Sequence, residues 1–243
     1  MTNLTRAGPA WRWLRELMLD LLALLWPTSC AGCGFPDRDL CDACRSELST
    51  REVREHHGVG APCFVAGDYT GIVREALVAF KHRGAFGFAK PLGRRLGAPL
   101  RRACAEAARD PPLIVTIPTR RKTFRQRGYR HVDELVRVAL AAERIPAPRV
   151  AALALRRGRT SQVGLGAEER ARNARRITGR RGMFGVVGTR LQGAGVIIVD
   201  DVITTGATMR AARDALTEAG ATVIACVALC GVVRKDTPDS REK

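Results

Sequence analysis

Residues 196–208, VIIVDDVITTGAT, constrain the fold of this chain more than any other segment. The four aliphatic side chains at 196–199 make a strand buried on both faces, and a strand without a polar face needs helices above and below it. Asp200 and Asp201 follow, where that strand is expected to emerge from the sheet. Two adjacent carboxylates call for partners there, either the vicinal hydroxyls of a sugar or a Mg²⁺ reached directly or through water. Thr204, Thr205, Gly206, Ala207 and Thr208 then supply hydroxyls, a glycine that permits a tight turn, and the start of a helix. The free N–H groups and dipole of a helix start attract phosphate. For the TGAT segment alone, a threonine-capped helix after an ordinary strand explains the residues as well.

The pattern around this segment agrees with it. After Pro111 and Pro112 come a strand at 113–117, a helix at 131–143, a strand at 150–155, a polar arginine-rich stretch at 156–176 and strands near 184–187 and at 196–199. A helix at 208–219 and a strand at 222–229 complete the alternation. Short β-branched runs between helices predict a mainly parallel sheet flanked by helices, with ligands at the carboxyl ends of the strands. Upstream, a strand at 62–66 and two helices with apolar residues at 72, 73, 77, 80 and at 92, 96, 100 join the same domain, taken as residues 63–234. Residues 235–243 are polar enough to form a disordered tail.

The N-terminal 62 residues are of two kinds. Residues 1–29 carry Leu14, Leu17, Met18, Leu21, Leu22 and Leu25 at helical spacing, an amphipathic helix that Pro27 ends. Its polar face is not strongly basic, which favours packing on the protein body over a membrane surface, and its apolar run is too short to span a bilayer. Residues 30–62, a module and linker, are poor in large apolar side chains but contain Cys30, Cys33, Cys41 and Cys44. Two C-x2-C knuckles can place four thiolates around Zn²⁺, and a site closed by four protein ligands is structural, supplying folding energy that the missing core does not. An Fe–S cluster or labile disulfides are the alternatives. His56 and His57 are read as exposed linker residues, and Cys63, Cys104, Cys226 and Cys230 as core residues.

Residues 196–208 resemble the phosphoribosyl-pyrophosphate motif of the type I phosphoribosyltransferases at all thirteen positions. The resemblance implies 5-phosphoribosyl-1-pyrophosphate as a ligand, with Asp200 and Asp201 on its ribose hydroxyls, Mg²⁺ nearby and the Thr204 to Thr208 loop on its 5′-phosphate. It also implies a pyrophosphate turn at Pro118, Thr119 and Arg120, followed by the cations Arg121, Lys122, Arg125 and Arg127 that suit a leaving pyrophosphate; a solvated basic loop is the weaker alternative. With the four cysteines, Arg127-Gly128-Tyr129, and Gln162, Leu165, Glu169, Arg170 and Asn173 in this order, the chain resembles the ComF family from about residue 17 to 233. That family implies a type I phosphoribosyltransferase fold with an N-terminal zinc module and a mobile hood containing Arg159, Thr160, Gln162 and Arg170. Some members are linked to competence, which brings in single-stranded DNA and DNA-uptake proteins as partners. Where the family has Gly-Phe-Asn-Gln, this chain has Gly128-Tyr129-Arg130-His131, so two amides give way to a cation and an imidazole.

Charge is consistent with anionic ligands. Lysine and arginine number 41 against 24 acids, a formal net charge of +17, although the arginine excess also fits coding composition. With no convincing secretory signal, a cytoplasmic, reducing location is expected, where cysteines serve as metal ligands, catalytic groups or buried hydrophobes rather than as a disulfide framework. The expected chemistry is transfer of phosphoribosyl to an unidentified nitrogen acceptor, with Asp200, Asp201 and Arg120 at the reacting centre. The alternative expectation is a single-stranded DNA-handling protein that uses the sugar-phosphate site for binding or sensing. The scarcity of aromatics, 5%, weighs against a stacking platform for single strands.

Overall fold

A computed structural model describes residues 29–36, 38–82, 84–107, 110–155, 184–186 and 191–232. The N-terminal helix, the hood residues Arg159, Thr160, Gln162, Leu165, Glu169, Arg170 and Asn173, and the tail lie outside the described residues. The elements are α1 (Asp42–Leu48), β1 (Arg54–Glu55), β2 (Cys63–Val65), α2 (Gly71–His82), α3 (Ala89–Cys104), β3 (Leu113–Thr116), α4 (Arg121–Arg127), α5 (His131–Glu143), β4 (Arg149–Val150), β5 (Leu153–Leu155), β6 (Phe184–Val186), β7 (Gly195–Ile203), α6 (Ala207–Glu218) and β8 (Thr222–Gly231). Among the described residues, no helix is long and apolar enough to cross a membrane.

The sheet has the order β1-β2-β8-β7-β3-β4, parallel throughout except for the antiparallel edge strand β1. Alternation along β7 explains its wholly aliphatic start. Ile197 and Val199 enter one core with Leu77, Leu96 and Leu135, from α2, α3 and α5, while Val196 and Ile198 enter the other with Met209, Ala212 and Leu216 of α6. On the first face, α3 and α5 approach closely because α3 presents glycine. A Cβ on Gly93 would stand 2.5 Å from Val138 Cβ, and one on Gly97 would stand 2.7 Å from Glu143 Cγ. The cysteine module joins the same face, with Cys30, Leu40, Cys44 and Leu48 buried against α2 and its neighbours.

Four expectations change. The strand at 196–199 runs on to Ile203, so Asp200 and Asp201 lie inside it rather than beyond it. Continued pairing with β8 explains this, through Asp200 with Ala228 and Ile203 with Gly231, although β3 stops at Thr116. The apolar run at 150–155 divides between sheets, as β4 pairs with β3 while β5 pairs antiparallel with β6 in a separate two-stranded sheet. Consequently β6 does not belong to the parallel ladder. The basic loop after β3 is helical over Arg121–Arg127 and closes on Gly128 in the left-handed region at φ 78°. Lastly, Cys104 is only partly buried, whereas Cys63, Cys226 and Cys230 are core residues.

Candidate functional site

The connections fix where a ligand fits. From β3 the chain crosses through α5 to β4 on one side, and from β7 it crosses through α6 to β8 on the other, so the order reverses between β3 and β7. The crevice at such a switch point, outside the carboxyl ends of the strands, is where open α/β sheets bind ligands. Pro118, Thr119 and Arg120 leave β3 at that end, next to the point where the Ile117 amide donates to Val199 O at 2.9 Å. Asp200 and Asp201, in the part of β7 that runs beyond its pairing with β3, and the loop 204–208 that follows β7 lie at the same end. Topology thus brings the acid pair, the threonine loop and the basic turn to one crevice.

The loop ends in Gly206, whose φ of 70° places it at the N-cap of α6. That conformation is costly for any residue with a Cβ. No side chain caps α6 through Gly206, and the Ala207 amide makes only a long 3.4 Å contact with Thr205 Oγ1. Thr204 is exposed, and Thr205, Ala207 and Thr208 are half-buried. A twelve-residue helix opening on small residues, with hydroxyls alongside, can accept a phosphate group.

The two acids have different surroundings. Asp201 is buried on the face of α2 and α5, and its Oδ2 takes both Lys81 Nζ, at 2.6 Å, and His131 Nε2. Arg127 Nη1 lies 3.3 Å from His131 Nδ1. Arginine can only donate, so Nδ1 accepts, and His131 carries its proton on Nε2 and donates it to Asp201. Burial alone would push the Asp201 carboxyl up, but Lys81 and His131 outweigh it and hold that carboxyl well below the usual carboxylate range. Asp200 is half-buried, and its Oδ1 accepts the Asp201 amide at 2.8 Å. Burial first, then the charge of Asp201, pushes Asp200 up to about 8.

Lys81 was not anticipated from sequence. Its one signal is rarity, as one of five lysines in a chain whose other bases are arginine. It stands near the end of α2, where a cation also complements the helix dipole. His131, which occupies the altered Gly128-Tyr129-Arg130-His131 segment, proves to be a direct partner of Asp201. Thr119 and Arg120 are half-buried at the crevice, and Arg127 reaches it through His131. Gln162 and Arg170 lie outside the described residues.

The four cysteines at 30, 33, 41 and 44 converge, with all Sγ atoms within 4.8 Å of one another and Cys33 and Cys41 at 3.5 Å. A tetrahedron of Zn–S bonds has edges of about 3.8 Å, so the cluster fits a structural zinc module. Burial raises the Cys30 thiol, but the amides of Cys33, Cys41 and Gly32 bring it to about 6, the thiolate character a metal needs. Burial and the neighbouring sulfurs push Cys44 up. A cation among the four sulfurs would relieve that crowding.

A family model described as the phosphoribosyl transferase domain matches residues 169–243, the part that carries β7, the threonine loop, α6 and β8. No curated protein matches the chain. The mostly parallel sheet with flanking helices, the matched domain and the cysteine cluster support a phosphoribosyltransferase-type family and a phosphoribosyltransferase-like function.

Proposed function

We propose that this is a ComF-like phosphoribosyltransferase that binds 5-phosphoribosyl-1-pyrophosphate and transfers its phosphoribosyl group to a nitrogen acceptor. One observation carries the reading: the acid pair and phosphate loop of β7 open beside the Pro118-Thr119-Arg120 turn of β3, at the point where the strand order reverses. The helix start at Ala207 holds the 5′-phosphate, with Thr204, Thr205 and Thr208 adding hydroxyl donors. Asp200 accepts from the ribose hydroxyls, while Asp201, already held by Lys81 and His131, fixes the position of β7 beneath them. Arg120 and the cations of α4 receive the pyrophosphate as negative charge develops on it, and such stabilisation supplies most of the catalysis in a reaction of this type. Gln162 and Arg170 belong to the hood that excludes water from the sugar cation.

Asp200, whose neighbour is already taken by Lys81 and His131, is the carboxylate that would hold Mg²⁺ together with the donor's own oxygens. Bound there, Mg²⁺ would offset the charge of the leaving pyrophosphate. The test is titration of the donor with Mg²⁺, and pyrophosphate release with a panel of bases and amines, in wild type and in the Asp200→Ala plus Asp201→Ala double variant. Donor affinity unchanged by the double substitution would overturn the reading.

A second reading rests on α4. None of its residues is buried, it carries Arg121, Lys122, Arg125 and Arg127, and Arg130 lies over the exposed ring of Phe124 at 5.7 Å. A cationic surface with an accessible aromatic suits single-stranded DNA, alone or delivered by uptake proteins. A gel-shift titration at low salt, where phosphate contacts are strongest, decides it, and absence of binding there removes this reading.

A further inference from the structure

Residues 58–60 form part of the connection from β1 to β2 and are held by two arginines of α6. Arg213 Nη1 donates to Val59 O at 2.6 Å. Arg210 Nη1 donates to Gly58 O at 2.5 Å and also to Thr205 O at 2.9 Å. The second of those acceptors belongs to the phosphate loop, so a single guanidinium nitrogen joins the linker to the loop. Side-chain packing does the same. Val59 is fully buried among Met209, Ala212 and Ile203, and a Cβ built on Gly206 would lie 3.2 Å from both Val59 Cγ2 and Arg210 Nη1.

The linker is itself anchored. Arg51 pairs with the buried Glu143 at 2.6 Å, and the buried Arg95 donates to Ala66 O at 3.0 Å and Glu47 O at 3.1 Å. Residues 58–60 therefore press on the phosphate loop from a fixed support rather than from a free strand. A glycine-containing turn has little rigidity of its own, and oriented N–H groups bind phosphate well only when their direction is set before the ligand arrives.

We propose that residues 58–60, through Val59 and Arg210, form a strap that sets the conformation of the phosphate loop, making Val59 and Arg210 positioning residues for the 5′-phosphate. The inference rests on the phosphoribosyl reading of that loop. It predicts a selective defect, because among the described residues the hydrogen bonds that tie the strap down come from α6 and one of them continues to the phosphate loop, not to the pyrophosphate turn on β3.

The experiment titrates the full chain with two probes separately, ribose 5-phosphate and magnesium pyrophosphate, by calorimetry. Val59→Ala and Arg210→Met should weaken ribose 5-phosphate about tenfold and leave pyrophosphate unchanged. Arg213→Met, which removes the Val59 O bond together with a pair to the exposed neighbour Asp214, should weaken ribose 5-phosphate about threefold and serves if Val59→Ala does not fold. Wild-type affinity for ribose 5-phosphate in the folded variants would overturn the strap, and so would equal loss of both probes, which signals general destabilisation. If wild type binds pyrophosphate but no ribose 5-phosphate, the phosphoribosyl reading itself falls, and the strap's role with it.

Discussion

Lys81 Nζ stands 2.6 Å from Asp201 Oδ2, joining the end of α2 to the carboxyl end of β7. Both side chains are largely shielded, at 18% and 10% exposure, so the charges are worth far more to each other than a surface pair would be. Lys81→Met leaves a buried carboxylate supported only by His131. Removing one partner of a buried pair costs about 3 kcal/mol or more, and this variant should lose about that much in urea denaturation. Adding Asp201→Asn should restore part of the loss. If the two substitutions prove additive, the pair does not stabilise the fold.

The raised Asp200 carboxyl gives a pH prediction. An ordinary aspartate titrates near about 3.9, whereas Asp200 is pushed up to about 8 by burial and by Asp201 beside it, with Lys81 opposing. Between those values the folded chain keeps a proton that the unfolded chain has released, so this group's contribution to stability is full below about 4 and is lost as pH rises through about 8. A ligand that needs the carboxylate does the reverse. Binding of the donor with Mg²⁺ should release close to one proton per chain at pH 7, read by calorimetry in buffers of different ionisation enthalpy. Its affinity should climb with pH and level off above about 8. The release should persist in His131→Asn, which separates Asp200 from the imidazole, and its absence in wild type would remove Asp200 as the ligand-facing acid.

Much of the fold was legible because its signals are local. The aliphatic run of β7 and the period of α5, expected at 131–143 and found at His131–Glu143, each follow from one stretch of sequence. Helix α4 is not legible in the sequence because RKTFRQR buries nothing and so has no apolar period to detect. The transfer of the chain from β4 to β5 was hidden for another reason. An apolar run says that a segment is buried but not which sheet buries it. At the site, the acids and the threonine loop were contiguous and therefore visible. Lys81 and His131 come from two different helices, and only the fold brings them to one carboxylate oxygen.

Metal binding at the cysteine cluster should be tied to the fold of the whole α2 face. A Cβ on Gly32 would lie 2.2 Å from Ile72 Cδ1 and 2.8 Å from Cys44 Sγ, so the first knuckle rests on α2 with no space between. The expected content is one zinc per chain. Substitution by Co²⁺ should give the thiolate charge-transfer absorption of a tetrahedral four-sulfur site, and stripping the metal should lower the melting temperature. A chain that melts at the same temperature with and without chelator would show that the cluster is not a folding element.

The glycines of α3 give the sharpest packing test. At Gly93 an added Cβ would meet Val138 Cβ at 2.5 Å and Leu135 O at 3.0 Å. Neither atom is the end of a flexible side chain, so α3 and α5 must separate, and overpacking of this kind costs about 1–3 kcal/mol. Gly87 offers the control, since nothing lies within 4 Å of a Cβ built there and its φ is not in the left-handed region. There, alanine restricts the unfolded chain without strain and should be neutral or stabilising by about 0.5 kcal/mol. Because α2, α3 and α5 share one core and two of them supply Lys81 and His131, Gly93→Ala should also weaken donor binding, while Gly87→Ala should not. Equal melting temperatures for the two variants would mean that the α3–α5 contact does not depend on the missing side chain.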